Sequence, residues 1–175
     1  MNCFSFKEFK IANIIDFISS NECDDISSHI ENTQNIKNMK ILNENSFVNQ
    51  YRIRFIDSYL KKLLENKLSN YNFNELTDGK FIEVEKSFSY VKYENEGKIK
   101  KHIDSYESVK TRNSNHILTL IIYLNDKYDD GETYLSSEFS EDNAENITLN
   151  KKKDHVMFFM DQKFFMVAIK LMAQN

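Results

Sequence analysis

The sequence has no proline, no tryptophan, three glycines and two cysteines in 175 residues. No fold requires such a shortage. Alongside abundant Asn, Lys and Ile it reads as the coding bias of an A/T-rich gene. The two cysteines, Cys3 and Cys23, sit near the N-terminus without the spacing of a metal site, so the expectation is free thiols in a reducing compartment. No apolar run approaches the roughly 20 residues needed to span a bilayer. The opening segment breaks its apolar residues with Lys7, Glu8, Lys10 and Asp16, unlike the continuous core of a secretory signal. Positive charge is not in excess either: the net charge is −4 and the pI about 5.6. That balance argues against nucleic acid as a partner and leaves the basic runs at 98–101 and 151–153 as solvated strand edges and turns. A soluble cytoplasmic protein, partnered by neither membrane nor nucleic acid, is expected.

What the chain does have is a globular composition, 41% hydrophobic and 13% aromatic, with 14 Phe and 9 Tyr. This length suits one domain over 1–175 with a sizeable core, and no repeat or low-complexity linker divides it. Residues 1–80 read as a helical preface. Phe9, Ile11, Ile14, Ile15 and Ile18 suggest one apolar helical face, and Ile26 and Ile30 a second short helix. Ile56, Leu60, Leu63, Leu64 and Leu68 recur at helical spacing, opposite Lys61, Lys62, Glu65 and Lys67.

From residue 81 the period changes to alternation. One strand or two abutting strands over 81–94 should lead to a turn at 95–97. The segment KIKKHID follows, then a polar loop at 105–115 and the nearly continuous apolar run HILTLIIYL, read as a central buried strand. A turn at 129–131 precedes ETYL, and ITL and HVMFFMD supply further strands. Helices followed by many short strands imply an α+β fold around a β-sandwich or barrel.

Within KIKKHID, His102 and Asp104 stand two residues apart, so on a strand they project from one face. Alone, such a pair is common as a surface hydrogen bond. An imidazole and a carboxylate side by side are also two of the three protein ligands of a non-haem Fe(II) site. The surroundings favour iron. Tyr93, His102, Asp104, LTLIIYLND and GETYL, in this order and spacing, resemble the catalytic core of the prolyl 4-hydroxylase branch of the 2-oxoglutarate/Fe(II)-dependent oxygenases. The resemblance spans about 81–165, with weaker agreement back to about residue 51.

The resemblance implies a double-stranded β-helix (jelly roll) whose larger sheet carries the N-terminal helices. It implies Fe(II), 2-oxoglutarate as co-substrate, ascorbate, O2, and a peptide or protein substrate hydroxylated at a prolyl side chain. His102 and Asp104 correspond to metal ligands, and no catalytic residue is implied beyond them. Tyr93 corresponds to the tyrosine that binds the 2-oxoglutarate tail; a half-buried strand aromatic is the other reading of its sequence context, and the sequence does not choose between them. Thr133 lines the same pocket. On the 119–124 run, Thr119, Ile121 and Tyr123 share one face, assigned to the barrel interior with Ile121 against the co-substrate. Leu120, Ile122 and Leu124 would pack on the helices. His29 is expected to be exposed, His116 to lie near the substrate mouth, and His155 to open a strand about ten residues too early for the third ligand.

The pattern breaks in residues 166–175. Met166 stands where the resemblance calls for a distal histidine, and Lys170 is the one basic residue in a tail without the expected last strand. Read one base earlier, the tail can encode a His-Gly start and a late Gly-x-Lys, so a frameshifted reading of the missing segment is expected. An impaired oxygenase with an exposed sheet edge would follow. The alternatives are a catalytically dead jelly-roll binding module and a small-molecule-binding barrel in which the His-x-Asp pair is incidental.

Overall fold

The computed structural model describes residues 1–6, 9–34, 36–42, 47–77, 83–84, 86–99, 119–125, 133–136, 146–149, 156–160 and 169–174. Ten strands and three helices are present among them. The strands are β1 (Asn2–Phe6), β2 (Phe9–Ile14), β3 (Lys40–Leu42), β4 (Phe47–Ile56), β5 (Ser87–Ile99), β6 (Thr119–Tyr123), β7 (Thr133–Ser136), β8 (Asn146–Leu149), β9 (Val156–Met160) and β10 (Ile169–Gln174). The helices are α1 (Ser20–Thr33), α2 (Ser58–Leu68) and the single turn α3 (Asn74–Thr77). The result is a mixed α+β architecture.

Eight strands form one sheet in the order β1-β2-β9-β6-β10-β5-β4-β3, and β7 and β8 pair as a separate antiparallel hairpin. The β-branched run of β6 lies in the middle of the large sheet, where all five of its residues are buried. That follows from covering both faces of a strand, which removes the polar alternation a half-exposed strand would show.

The helices cover one face of this sheet. Asp16, with φ 56°, turns the chain sharply after β2, a left-handed conformation that Asp tolerates better than most residues. Ser19 then caps α1 in a reciprocal capping box: its Oγ accepts from the Glu22 N–H, and the Glu22 carboxylate accepts from the Ser19 N–H. Asp57 caps α2 by accepting the Leu60 N–H at 2.9 Å. Cys23, Ile26 and Ile30 of α1 and Leu60, Leu64 and Leu68 of α2 join Leu120, Ile122 and Leu124 in one buried cluster. This is the packing expected for the even-numbered face of the 119–124 run. Cys3 and Cys23 are free thiols, also as expected. No helix among the described residues is long and apolar enough to cross a membrane.

Four expectations are corrected. Residues 9–14 are a strand: β2 pairs with β1 on one side and β9 on the other. Ile11, Ala12 and Ile14 are all buried there, and a run buried on both faces imitates the apolar density of a helix. Ile56 does not belong to the α2 face; it ends β4 and is 65% exposed. There is no chain reversal at 95–97, because β5 is one strand of 13 residues. Its irregularity is a bulge, taken up below.

The fourth correction concerns the tail. The slot between β5 and β6 is not an open edge, because β10 occupies it. Residues 169–174 pair with 88–93 of β5, and 170–172 pair with 121–123 of β6. Both ladders are parallel, whereas every other pairing in the sheet is antiparallel. Since β5 and β6 run the same way, a purely antiparallel sheet would need a strand of opposite direction here.

Candidate functional site

The face of the large sheet turned away from the helices begins on β4. The segment Gln50–Phe55 alternates strictly, with Phe55 in the helix-side core and Ile53 packed against it. Gln50, Arg52 and Arg54 fall on the other face. Gln50 is fully buried there, an unusual place for an amide that has no apolar reason to be inside.

A bulge sets its position. Val48 pairs with Lys98, but Gln50 pairs with Tyr93, so Asn49 alone faces residues 94–97. Asn49 has φ 43°, in the left-handed region that Asn enters at low cost. The Asn-Glu-Gly signal at 95–97 is therefore used to insert residues into a continuing strand. Bulges re-aim the side chains beside them, and here the effect is to bring Gln50 opposite Tyr93. The Gln50 Nε2 donates to the Tyr93 hydroxyl at 2.7 Å.

Tyr93 is 6% exposed. Burial raises the pKa of its phenol, opposed by the Gln50 hydrogen bond and the positive charge of Arg52. The hydroxyl thus remains protonated and keeps a hydrogen to donate. The Gln50 Oε1 is buried without a hydrogen-bond partner among the described residues, and the Arg52 Nε is buried beside it on the same strand face. The amide and the phenol thus meet in a buried spot on which the positive charge of Arg52 acts.

On β6, Thr119, Ile121 and Tyr123 occupy the face opposite Leu120, Ile122 and Leu124, and all three are buried. The Tyr123 hydroxyl donates to Thr133 Oγ1 at 2.6 Å, which ties the start of β7 to the large sheet. Thr133 therefore lies against the same β6 face as Ile121. Through β10, Tyr123 is level with Val91, two residues from Tyr93, while Ile121 is level with Ser89. Ser89 and Tyr93 are four positions apart, about 13 Å along the strand. Tyr93 and the Tyr123–Thr133 pair thus lie at neighbouring levels, and Ile121 lies deeper along the sheet.

His102 and Asp104 fall outside the described residues, as do His116, His155 and Met166. Among the described residues no group of three His, Cys, Asp or Glu side chains is placed to hold a metal ion. An imidazole and a carboxylate at i and i+2 make a nitrogen and oxygen donor set appropriate to ferrous iron. His29, expected to be exposed, is half-buried: its Nε2 lies 2.8 Å from Asp57 Oδ2 and its ring lies against Tyr59. It belongs to the packing of α1 on the start of α2.

Gln50 and Arg52 were not among the residues singled out from the sequence. The alternation of QYRIRF was the available signal, but a polar strand face ordinarily means solvent, and only the folded sheet buries Gln50 and the Arg52 Nε.

No curated protein and no solved structure matches the chain. Residues 88–165 match the family model of the 2OG-Fe(II) oxygenase superfamily, a span that takes in Tyr93, His102, Asp104, all of β6 and Thr133. That match supports a 2OG-Fe(II) oxygenase domain in this part of the chain, an oxidoreductase that uses Fe(II), 2-oxoglutarate and O2.

Proposed function

We propose that this chain is a 2-oxoglutarate- and Fe(II)-dependent dioxygenase of the prolyl 4-hydroxylase type, built on a double-stranded β-helix and acting on a peptidyl, prolyl side chain. The observation that carries the reading is the buried, protonated Tyr93 hydroxyl, presented on the sheet face away from the helices within the span that matches the superfamily. His102 and Asp104 would hold the iron. Bound Fe(II), with 2-oxoglutarate and O2, supplies the oxidising power to hydroxylate an unactivated C–H, releasing succinate and CO2.

The chain's own residues do the positioning. The Tyr93 O–H donates to the distal carboxylate of 2-oxoglutarate, and the Thr133 hydroxyl, held by Tyr123, lines the same cavity. Ile121 forms an apolar wall that keeps water from the reacting end. Ascorbate would be the reductant that keeps a bound metal available as Fe(II).

With Met166 where the resemblance expects a third ligand, only two protein ligands would hold the metal, so it would bind weakly and turnover would be low. Succinate release from 2-oxoglutarate, with Fe(II) and a proline-rich peptide, tests the reading. Slow, peptide-stimulated release that His102→Ala abolishes is the expected result; fast turnover would refute the impairment. The same substitution at Met166 favours a non-catalytic binding module as the second reading. A folded chain that takes up neither Fe(II) nor Mn(II) in calorimetry would decide for it.

A further inference from the structure

We propose that Lys40 and Arg54 form a subsite for an acidic peptide segment, taking two carboxylates at alternate positions of an extended substrate. The proposal rests on the oxygenase reading above and deepens it, because it names a chemical class for the part of the peptide that flanks the hydroxylated residue.

Lys40 of β3 is in register with Arg52 of β4, and Arg54 lies two residues further along β4. Cross-strand partners and alternate residues share a sheet face, so both cations belong to the face away from the helices, the one that carries Tyr93. That face opens to solvent along β4: Gln50 is fully buried, Arg54 is exposed and Ile56 is 65% exposed. Lys40 is exposed as well. Positions 40 and 42 of β3, the even positions 50–56 of β4 and the odd positions 87–93 of β5 share this face, and none of them is a carboxylate. Arg52, between the two cations, already has an interaction of its own. Lys40 and Arg54 have no ion-pair partner among the described residues.

The chain carries 27 acidic against 23 basic side chains, so cations gathered on one face are not the overflow of a basic composition. Lys40 stands on the last strand of the sheet, where a lysine discourages pairing with another edge. Arg54 stands on an inner strand and has no such duty. As diagonal neighbours on adjacent strands, the two residues are about 7–8 Å apart. Alternate residues of an extended peptide point the same way about 7 Å apart, so carboxylates at i and i+2 match the pair. Four strand spacings, about 19 Å, separate β3 from β6, where Ile121 walls the co-substrate in the reading above. An extended peptide covers that span in about six residues, which sets the distance from the acidic pair to the hydroxylated position.

Calorimetric titration of the full chain, in the presence of Mn(II) and 2-oxoglutarate, tests the subsite without turnover. The probes are a proline-containing peptide with Glu-x-Glu about six residues from the proline and its Gln-x-Gln twin. Two exposed ion pairs of ordinary strength amount to about fivefold in affinity, so wild type should prefer the Glu peptide by that factor. Salt at about 1 M should remove the preference. Lys40→Gln combined with Arg54→Gln should abolish it and leave affinity for the Gln peptide unchanged. Either substitution alone should reduce the preference about twofold, and carries the test where the pair fails to fold. Lys40→Glu combined with Arg54→Glu should turn the preference towards a Lys-x-Lys peptide. Binding of neither peptide, equal affinity for both in wild type, or a preference that survives both substitutions would overturn the subsite; succinate release decides the oxygenase reading separately. A Glu preference that needs Lys40 and Arg54, in a chain that takes up no Mn(II) and releases no succinate, would uphold the subsite and overturn the oxygenase reading.

Discussion

At the scale of single residues, the Gln50–Tyr93 contact ties stability to the proposed co-substrate site. Tyr93→Phe removes the hydroxyl that accepts from Gln50 Nε2 at 2.7 Å and strands a fully buried amide. Leaving a buried polar group unsatisfied costs about 1–3 kcal/mol, so denaturant unfolding should register a loss of that size. Calorimetry should show weaker 2-oxoglutarate binding for the same variant. A substitution neutral in both measurements would remove Tyr93 from the site. Asp57 has a purely structural counterpart of this role. Burial raises its pKa, but the Leu60 N–H and His29 outweigh that and hold its carboxyl below the usual range. Asp57→Ala should cost about 1–2 kcal/mol, because it removes the cap of α2.

At the scale of elements, the attachment of α1 to α2 has a pH signature. Glu22 caps α1 through Ser19 and also meets Lys67 of α2 at 2.6 Å. The Lys67 ammonium, followed by the Ser19 N–H, lowers its pKa from 4.5 to about 2. A carboxyl depressed in the folded state contributes stability that is complete above the unfolded value and disappears as pH falls through the folded one. The Glu22 contribution should therefore be present above pH 4.5 and be lost progressively towards pH 2. Glu22→Gln should flatten the acid limb of a melting-temperature profile over that window, and an unchanged limb would contradict the assignment.

The strand β10 makes a second claim at this scale. It is hydrogen-bonded on both sides, with Met172 opposite Val91 on one neighbour and Tyr123 on the other. Met172→Pro removes a central backbone donor and should destabilise the sheet by about 1–3 kcal/mol, the cost of the carbonyl left unsatisfied. Amide exchange should then quicken in β5 and β6 together. If it quickened in neither, β10 would not be an integral strand.

For the whole molecule, the sheet has two unlike faces, and the division of labour follows from them. One face is apolar and takes α1 and α2; the other is partly polar and holds Tyr93, Gln50, Arg52, Tyr123 and the contact to Thr133. The Tyr123–Thr133 hydrogen bond is a side-chain link between the large sheet and the β7–β8 hairpin. Thr133→Val keeps the shape of the side chain but leaves the Tyr123 hydroxyl without that acceptor. It should cost about 1–3 kcal/mol in denaturant unfolding and lower 2-oxoglutarate affinity, the latter without changing metal affinity.

The sequence by itself determined what repeats locally. The β-branched run of β6 identified a central strand and the right division of its two faces. The leucine spacing of α2 and the turn-bounded segments of β7, β8 and β9 were equally plain. Only the tertiary structure decided the rest. Ile11 and Ile14 become strand residues because β1 and β9 flank them, a pairing between segments some 145 residues apart that no local period can encode. Asn95 and Gly97 carry turn chemistry, but the β4 ladder resuming beyond them converts a reversal into a bulge. Gln50 looks like a solvent-facing residue until the fold buries it against Tyr93, a contact between strands that the polar alternation of β4 does not reveal.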